Sequence, residues 1–95
     1  EKLAEILKKD PQNAFASFLL GNHLLWKTGS TQEAIQHLEK AVALRPSFLK
    51  AWVSLAMAYK KSHLFVMAEQ AFQNCMDLDP NPQQQNFYKT HLQAL

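Results

Sequence analysis

Residues 44–54 read LRPSFLKAWVS, and a proline stands in this stretch between two apolar segments. Similar steps are KDPQN at residues 9–13 and LDPNP at residues 78–82. Their prolines, Pro11, Pro46 and Pro80, lie 35 and then 34 residues apart. Nearly equal gaps of this size indicate that one structural unit occurs more than once along the chain.

The segments before the prolines share one apolar pattern. Apolar residues stand eight, five and four positions before each proline: Leu3, Ile6 and Leu7, then Leu38, Ala41 and Val42, then Phe72, Cys75 and Met76. This spacing is typical of one face of an α-helix. Proline lacks an N–H and disfavours helical geometry in the residue before it, so it ends each helix. The small Ala41 and Cys75 are predicted to be buried where helix pairs meet.

The segments after the prolines predict a second kind of helix. Five residues with helical spacing follow Pro46: Ala51, Trp52, Leu55, Ala56 and Tyr59. Their counterparts 35 positions earlier are Ala16, Ser17, Leu20, Gly21 and Leu24. The helices that come next, 31–45 and 65–79, match each other at 34 positions. One extra residue is therefore expected near WKTGST, residues 26–31.

Together these patterns predict six helices, over residues 1–9, 13–28, 31–45, 48–62, 65–79 and 83–94. Ser47, Ser30 with Glu33, and Asn81 before Pro82 stand where helix N-caps are expected. The last helix is predicted to be amphipathic, with four apolar residues on one side: Phe87, Tyr88, Leu92 and Leu95.

Residues 49–80 resemble a tetratricopeptide repeat (TPR), a helix–turn–helix unit of ~34 residues. The residues that carry the resemblance are Trp52, Leu55, Ala56, Tyr59, Ala68, Phe72, Cys75 and Pro80, and in the preceding unit Ser17, Leu20, Gly21, Leu24, Ala34, Leu38, Ala41 and Pro46. Three residues depart from the family pattern. Ser17 replaces an aromatic residue, Cys75 replaces an alanine, and His63 stands where the turn usually has glycine.

The resemblance implies an all-α fold, an α-solenoid of antiparallel helix pairs that form a TPR-like superhelix with a C-terminal capping helix. It divides a single domain, 1–95, into a half repeat at 1–12, repeats at 13–46 and 47–80, and a capping helix at 81–95. In such arrays the first helix of each pair lines a concave groove that binds an extended or helical peptide.

Helical geometry selects the residues expected to face this groove. Off the stripe that contains Leu20 and Leu55, the exposed positions are Phe18, Asn22, Leu25 and Trp26, and then Lys50, Val53, Ser54, Met57, Lys60 and Lys61. The predicted peptide-binding residues are Phe18, Asn22, Trp26, Lys50, Val53, Met57 and Lys60. A groove that is apolar at one end and basic at the other favours an apolar and acidic peptide. The predicted function is a protein–protein interaction module within a larger protein.

Three questions stay open at this point. The chain could instead be a structural or self-association element that stacks on neighbouring repeats or on a second copy. Trp26 could pack against a neighbouring turn rather than face a ligand. In LFVMA, residues 64–68, Phe65 and Ala68 are expected in the core. The other three residues are either scattered surface side chains or contacts with a further segment or a second chain.

Composition restricts the partners. The formal net charge is +2 and the lysines are dispersed, so nucleic acid is not the expected partner. No apolar run approaches the ~18 residues that a membrane span needs, so membrane insertion is not expected. The single cysteine, Cys75, excludes an internal disulfide and favours a reducing, cytoplasmic location. The chain does not begin with Met, which is typical of an excised fragment.

Patterns for catalysis or metal binding are weak. The histidines His23, His37, His63 and His91 form no HExxH and no pair at i,i+4 beside a carboxylate. KTGST, residues 27–31, lacks the lysine that follows the second glycine of a P-loop. The carboxylates are scattered rather than paired for acid–base work. The sequence therefore predicts no catalytic, cofactor-binding or metal-binding residues, and a protein that is not an enzyme.

Overall fold

The computed structural model describes residues 5, 8–10 and 12–94. Five helices follow one another: α1 (Ala14–His23), α2 (Thr31–Leu44), α3 (Leu49–Lys61), α4 (Phe65–Leu78) and α5 (Pro82–Gln93). A π-helical turn, Leu24–Thr28, continues α1. No β-strand occurs within the described ranges. The all-α prediction is confirmed, and the five helices lie within one residue of their predicted bounds when the π-helical turn is counted with α1.

The predicted helix at 1–9 lies outside the described residues, apart from Glu5, Lys8 and Lys9, which are helical. Each of the other helices packs mainly against the helix next to it in sequence. The connections are short, residues 29–30, 45–48, 62–64 and 79–81. Short connections between packed helices make the neighbours antiparallel, so α1–α2 and α3–α4 are helix pairs and α5 lies against α4.

The core forms where small residues let helices approach each other. Ala41 and Cys75 are both fully buried, as predicted. The tightest approach involves Gly21 on α1. A Cβ atom at this position would lie 2.7 Å from Leu38 Cγ and 3.1 Å from the carbonyl oxygen of Ala34, both on α2. The contact between α1 and α2 therefore depends on glycine at position 21.

The extra residue expected near WKTGST is accommodated by the π-helical turn Leu24–Thr28. The turn ends at Gly29, whose φ of 72° lies in the left-handed region that glycine adopts readily. The backbone N–H groups of Gly29 and Ser30 both donate to the carbonyl oxygen of Leu24. A π-helical turn contains one residue more than an α-helical turn. The extra residue of the first repeat therefore lies within the helix rather than in the loop.

Burial shows how this turn changes the register of the two repeats. Gly21 and Ala56 are both buried and lie 35 residues apart, whereas Leu25 and Tyr59 are both buried and lie 34 apart. The expectation that Leu25 faces the groove is therefore wrong. The wider turn places Leu25 in the core, where it is 0% exposed.

One predicted helix cap is present and two are not. The Asn81 side chain accepts a hydrogen bond from the Gln83 N–H at 3.0 Å, as predicted for the start of α5. Ser47 does not cap α3, because it lies within a turn closed by the Phe48 N–H and the Arg45 carbonyl oxygen, and Phe48 is the N-cap residue. Ser30 is the N-cap residue of α2, but its side chain makes no capping hydrogen bond, so the expected capping box is absent.

The start of α4 exposes four consecutive apolar residues, 64–67. Phe65, predicted in the core, is 44% exposed, while Ala68 is fully buried as predicted. Phe65 is the first residue of α4, and its ring meets the edge of the His63 ring in the preceding turn, with centroids 5.6 Å apart. His63 itself has a φ of 61°, which fits its place at a position usually filled by glycine.

Helix α5 is amphipathic, although less clearly than predicted. Tyr88 is buried and Leu92 packs against the core, but Phe87 is 42% exposed. The fourth predicted residue, Leu95, lies outside the described residues.

Candidate peptide-binding groove

Two cavities open along the first helices of the two pairs. The Val53 cavity has a volume of about 550 Å³, and its lining includes Phe18, Lys50, Val53, Ser54, Asp79 and Tyr88. The Trp26 cavity has a volume of about 330 Å³ and is lined by Trp26, Met57, Lys60, Lys61 and His63. Six of the seven predicted site residues line one cavity or the other, three in each.

The seventh predicted residue, Asn22, connects the two cavity walls. Its side-chain oxygen accepts a hydrogen bond from the Trp26 indole N–H at 3.0 Å and another from the Ser54 hydroxyl at 2.9 Å. Because Trp26 lines one cavity and Ser54 lines the other, Asn22 holds α1, its π-helical turn and α3 in a defined arrangement. Ser54, predicted to be exposed, is instead buried by this contact.

Trp26 projects from the π-helical turn and is 53% exposed. The Lys61 ammonium group lies 5.6 Å from the centre of its ring, a cation–π distance. The only hydrogen bond of the indole N–H in the described structure goes to Asn22. Half of this side chain therefore remains available for contact with another molecule.

Trp52 differs from Trp26 in both burial and hydrogen bonding. Its indole N–H donates to the carbonyl oxygen of Pro46 at 2.8 Å, and the half-buried ring packs against the core. This agrees with the core position assigned to Trp52 by the repeat pattern.

The sequence predicted that Phe18 is an exposed groove residue. The prediction of exposure is wrong, because neighbouring rings cover Phe18. Its ring lies 5.1 Å from that of Phe48 and 6.3 Å from that of Phe15, and only 8% of the residue is exposed. Phe18 therefore contributes an edge of the Val53 cavity rather than a free surface.

The charges are arranged differently from the prediction of an apolar end and a basic end. The Val53 cavity contains both Lys50 and Asp79, whereas the Trp26 cavity combines its apolar walls with Lys60 and Lys61. Helix geometry alone did not show this arrangement, because Trp26 and Lys60 come from different elements, and spacing along one helix does not show how two elements pack.

Tyr88 and Asp79 are not among the residues predicted for the groove, yet both line the Val53 cavity. The signal that identifies Tyr88 is the repeat period, since Phe18, Val53 and Tyr88 follow one another at intervals of 35 residues. Burial, followed by the nearby Cys75 and Asp79, raises the pKa of Tyr88 to about 12. The Tyr88 hydroxyl therefore stays protonated at neutral pH and donates to Asp79 Oδ2 at 3.3 Å.

Lys60 also contacts α5. Its Nζ lies 3.2 Å from His91 Nδ1, and the His91 ring stacks on Phe72 with centroids 5.4 Å apart. Lysine has no acceptor, so this hydrogen bond requires a neutral imidazole. Burial and then the Lys60 charge lower the pKa of His91 below its ordinary value of 6.5.

Acid is expected to destabilise the fold through His91. As the pH falls through 6.5, the unfolded chain binds a proton that the folded chain binds only at lower pH, so the free energy of unfolding decreases. The decrease levels off once the pH is below the lowered, folded-state pKa. Urea midpoints measured from pH about 8 to about 5 should show a smaller decrease in His91→Gln than in the parent chain. Parallel pH profiles for the two chains would contradict this assignment.

Other reactive groups are inaccessible or isolated. Cys75 is fully buried, and burial raises the pKa of its thiol to about 12. The Tyr59 hydroxyl donates to Glu39, and burial is the main cause that raises the Tyr59 pKa. Over residues 5, 8–10 and 12–94, no cluster of His, Cys, Asp and Glu has the geometry of a metal site. In the same part of the chain, every helix is too short or too polar to cross a membrane.

The chain is similar to known proteins in both sequence and structure. At the level of sequence, the chain is 28% identical over 81 residues to a UDP-N-acetylglucosamine–peptide N-acetylglucosaminyltransferase of Giardia intestinalis. This match covers 85% of the chain but spans only 5% of the transferase. At the level of structure, it is similar to a MamA RS-1 ArsTM double mutant, with a TM-score of 0.81 and 31% identity. That match covers 95% of this chain and 48% of the other.

The family model described as tetratricopeptide repeat matches residues 1–47 and 23–73, which is more than half of the chain. The structural match and the stacked helix pairs support the same assignment. Repeats of this kind are in general protein–protein interaction modules with extended concave surfaces. The chain belongs to the tetratricopeptide repeat family.

Proposed function

We propose that the chain binds a peptide segment of a partner protein in the groove formed by α1 and α3. The proposed contact residues are Phe18, Asn22, Trp26, Lys50, Val53, Met57 and Lys60. One observation carries the proposal: six of these residues line two neighbouring cavities, and the seventh joins the cavity walls by hydrogen bonds. A concave, mostly apolar surface with a few placed polar groups is the usual form of a binding site.

The hydrogen bonds of Asn22 support this proposal. Its side-chain oxygen already accepts two hydrogen bonds, which use both lone pairs. Its amide nitrogen has no hydrogen-bond partner among the described residues. A backbone carbonyl of a bound peptide would accept from this nitrogen whatever its side chains are, so Asn22 would bind the peptide main chain.

Charge also selects the partner. The Trp26 cavity contains Lys60 and no acidic lining residue, so this end of the groove attracts an acidic segment. Lys50 adds a positive charge at the other end, where Asp79 partly offsets it. Attraction between such charges raises the association rate and is screened by salt. Affinity for the peptide is therefore expected to weaken as the salt concentration rises.

Trp26→Ala tests this function. Peptides selected from a random display library against the parent chain are expected to bind the variant about 5- to 30-fold more weakly, a loss of ~1–2 kcal/mol, as for an exposed aromatic hot spot. The urea midpoint should barely change, because half of the ring is exposed in the folded chain. Fluorescence anisotropy measures binding, and circular dichroism measures unfolding.

The control is Lys40→Ala, which removes an exposed lysine of α2, on the opposite helix of the pair. It should leave the affinity unchanged, whereas Lys50→Ala should lower it. If the selected peptides bind all three variants and the parent equally, the groove is not their site. If Trp26→Ala lowers the urea midpoint and alters binding only through unfolding, Trp26 is a packing residue.

Self-association is the second candidate function, and the exposed start of α4 favours it. Val66 is 71% exposed and Phe65 44% exposed, and consecutive apolar residues of this kind often mark a contact surface. Sedimentation velocity over a range of concentrations tests it. A mass that rises with concentration and becomes constant in Val66→Glu would support a second copy as the partner.

We further infer that this part of the protein is not catalytic and works in the cytoplasm. The first inference is supported by the inaccessible Cys75 thiol and by the general role of such repeats. The second is supported by a single cysteine that is kept buried and reduced.

A further inference from the structure

We propose that the Trp26 cavity is an anchor site for one large apolar side chain, phenylalanine or leucine, carried on an acidic segment of the partner. This inference rests on the proposed function, because it names the chemistry that one end of the groove selects. It assigns two residues outside the proposed contact set, Lys61 and His63, to binding.

The position and size of the cavity limit what it holds. Trp26 comes from the π-helical turn after α1, His63 from the turn before α4, and the other lining residues from the last turns of α3. The cavity therefore lies at the edge of the stack where the turns within each helix pair meet. Its volume of about 330 Å³ is at the low end of ligand pockets, so it has room for one large side chain with the backbone beside it but not for a long segment.

The walls are suited to an apolar side chain. The Trp26 ring is 53% exposed and offers a flat apolar face. Met57 is half-buried and lies on the adjoining helix, and its flexible thioether adapts to ligands of different shape. Aromatic and aliphatic side chains gain by contact with both surfaces, so they are preferred over polar ones.

The rim is suited to carboxylates. Lys60 and Lys61 both line the cavity, and none of its five lining residues is acidic. Each ammonium group is already held in place, Lys60 by His91 at 3.2 Å and Lys61 over the Trp26 ring at 5.6 Å. Pre-positioned cations lose little side-chain freedom when an anion binds, so acidic residues beside the anchor would add affinity.

Other occupants fit this cavity less well. A second copy that met this cavity across a two-fold axis would place the same lysines against Lys60 and Lys61, and like charges across an interface are unfavourable. A nucleic acid supplies anions and flat bases, but it needs a track of cations along its backbone. The cavity has two lysines at one end of the groove, so a short acidic peptide is the better match.

Two irregular backbone features border the cavity. Trp26 lies in the π-helical turn, and His63 has a φ of 61°, a left-handed conformation that is unfavourable for a residue with a side chain. Such turns and strained residues occur frequently at functional sites. Both features face the same cavity, which supports a role in binding rather than in packing alone.

The test uses fluorescein-labelled synthetic peptides and the whole chain. The probes are EEDFDEE, the matched EEDADEE without the aromatic ring, the basic KKRFRKK, and an oligouridylate. EEDFDEE is expected to bind at least about tenfold more tightly than each of the others. Trp26→Ala and Lys61→Met should each weaken its binding by about tenfold, while Lys40→Met should not. Lys61→Met keeps an apolar stem of similar length, so it tests the charge alone.

Several results would overturn the inference. They are failure of EEDFDEE to bind, equal binding of EEDADEE, oligouridylate binding of similar strength, or binding that is unchanged in Trp26→Ala and Lys61→Met. The proposed function is judged separately, with peptides from the random library and with Lys50→Ala at the Val53 cavity. If the library peptides depend on Lys50 but not on Trp26 or Lys61, the groove function stands and the anchor site is wrong.

Discussion

Phe72→Ala is expected to lower the free energy of unfolding by about 3–5 kcal/mol, because it removes a fully buried ring from the centre of the stack. Phe72 lies on α4 and also supports α5, since its ring stacks on that of His91 at 5.4 Å. The change therefore leaves a cavity and loosens the contact between two helices. A domain of this size is stabilised by about 5–15 kcal/mol in total, so the loss is large.

The matched control is Phe65→Ala, which makes the same substitution on the same helix. Phe65 is 44% exposed, so the expected loss is less than about 1 kcal/mol. Urea unfolding followed by circular dichroism compares the two, and Phe72→Leu provides a milder variant if Phe72→Ala does not fold. Equal losses at positions 65 and 72 would mean that the packing around α4 differs from this description.

Gly21→Val is expected to cost about 1–3 kcal/mol by overpacking the contact between α1 and α2. The first added atom would lie 2.7 Å from Leu38 Cγ and 3.1 Å from the Ala34 carbonyl oxygen. The second neighbour is backbone, so the clash is relieved only if a helix shifts. At an exposed position in a helix, replacement of glycine would instead raise the free energy of unfolding, because glycine has a low helix propensity.

A double-mutant cycle isolates this clash. Leu38→Ala alone should cost about 2–5 kcal/mol, since Leu38 is fully buried. Gly21→Val should then cost less in the Leu38→Ala background than in the parent, with a coupling of about 0.5–3 kcal/mol. Strict additivity would show that position 21 is not limited by Leu38.

The helices could be predicted from the sequence because the same pattern occurs in both repeats and proline ends each unit. The Asn81 cap could also be predicted, because its neighbour is a proline at the first helical position. The prediction of a Ser47 cap was wrong, because Ser47 lies within the turn that precedes α3. Phe65 was misplaced because repeat position indicates a helix face, but it does not show whether a neighbouring helix extends far enough to cover it.

The candidate site was predictable only in part. Spacing along a helix selected Trp26, Met57 and Lys60, and the structure places all three in one cavity. It did not show that Phe48 would cover Phe18, because that contact joins residues 30 positions apart in the chain. Nor did it place Lys60 and Lys61 beside Trp26, because the sequence indicated an extra residue near Trp26 but not the π-helical turn that holds it.

The π-helical turn Leu24–Thr28 has a practical consequence for comparing and redesigning these repeats. An alignment that puts its gap in the loop pairs Leu24 with Tyr59, whereas burial pairs Leu25 with Tyr59. A substitution transferred from the first repeat to the second must therefore be shifted by 35 positions if it lies before the turn and by 34 positions if it lies after it. A consensus design that trims the unit to a uniform length would discard the insertion, and with it the geometry that sets the indole beside Lys61.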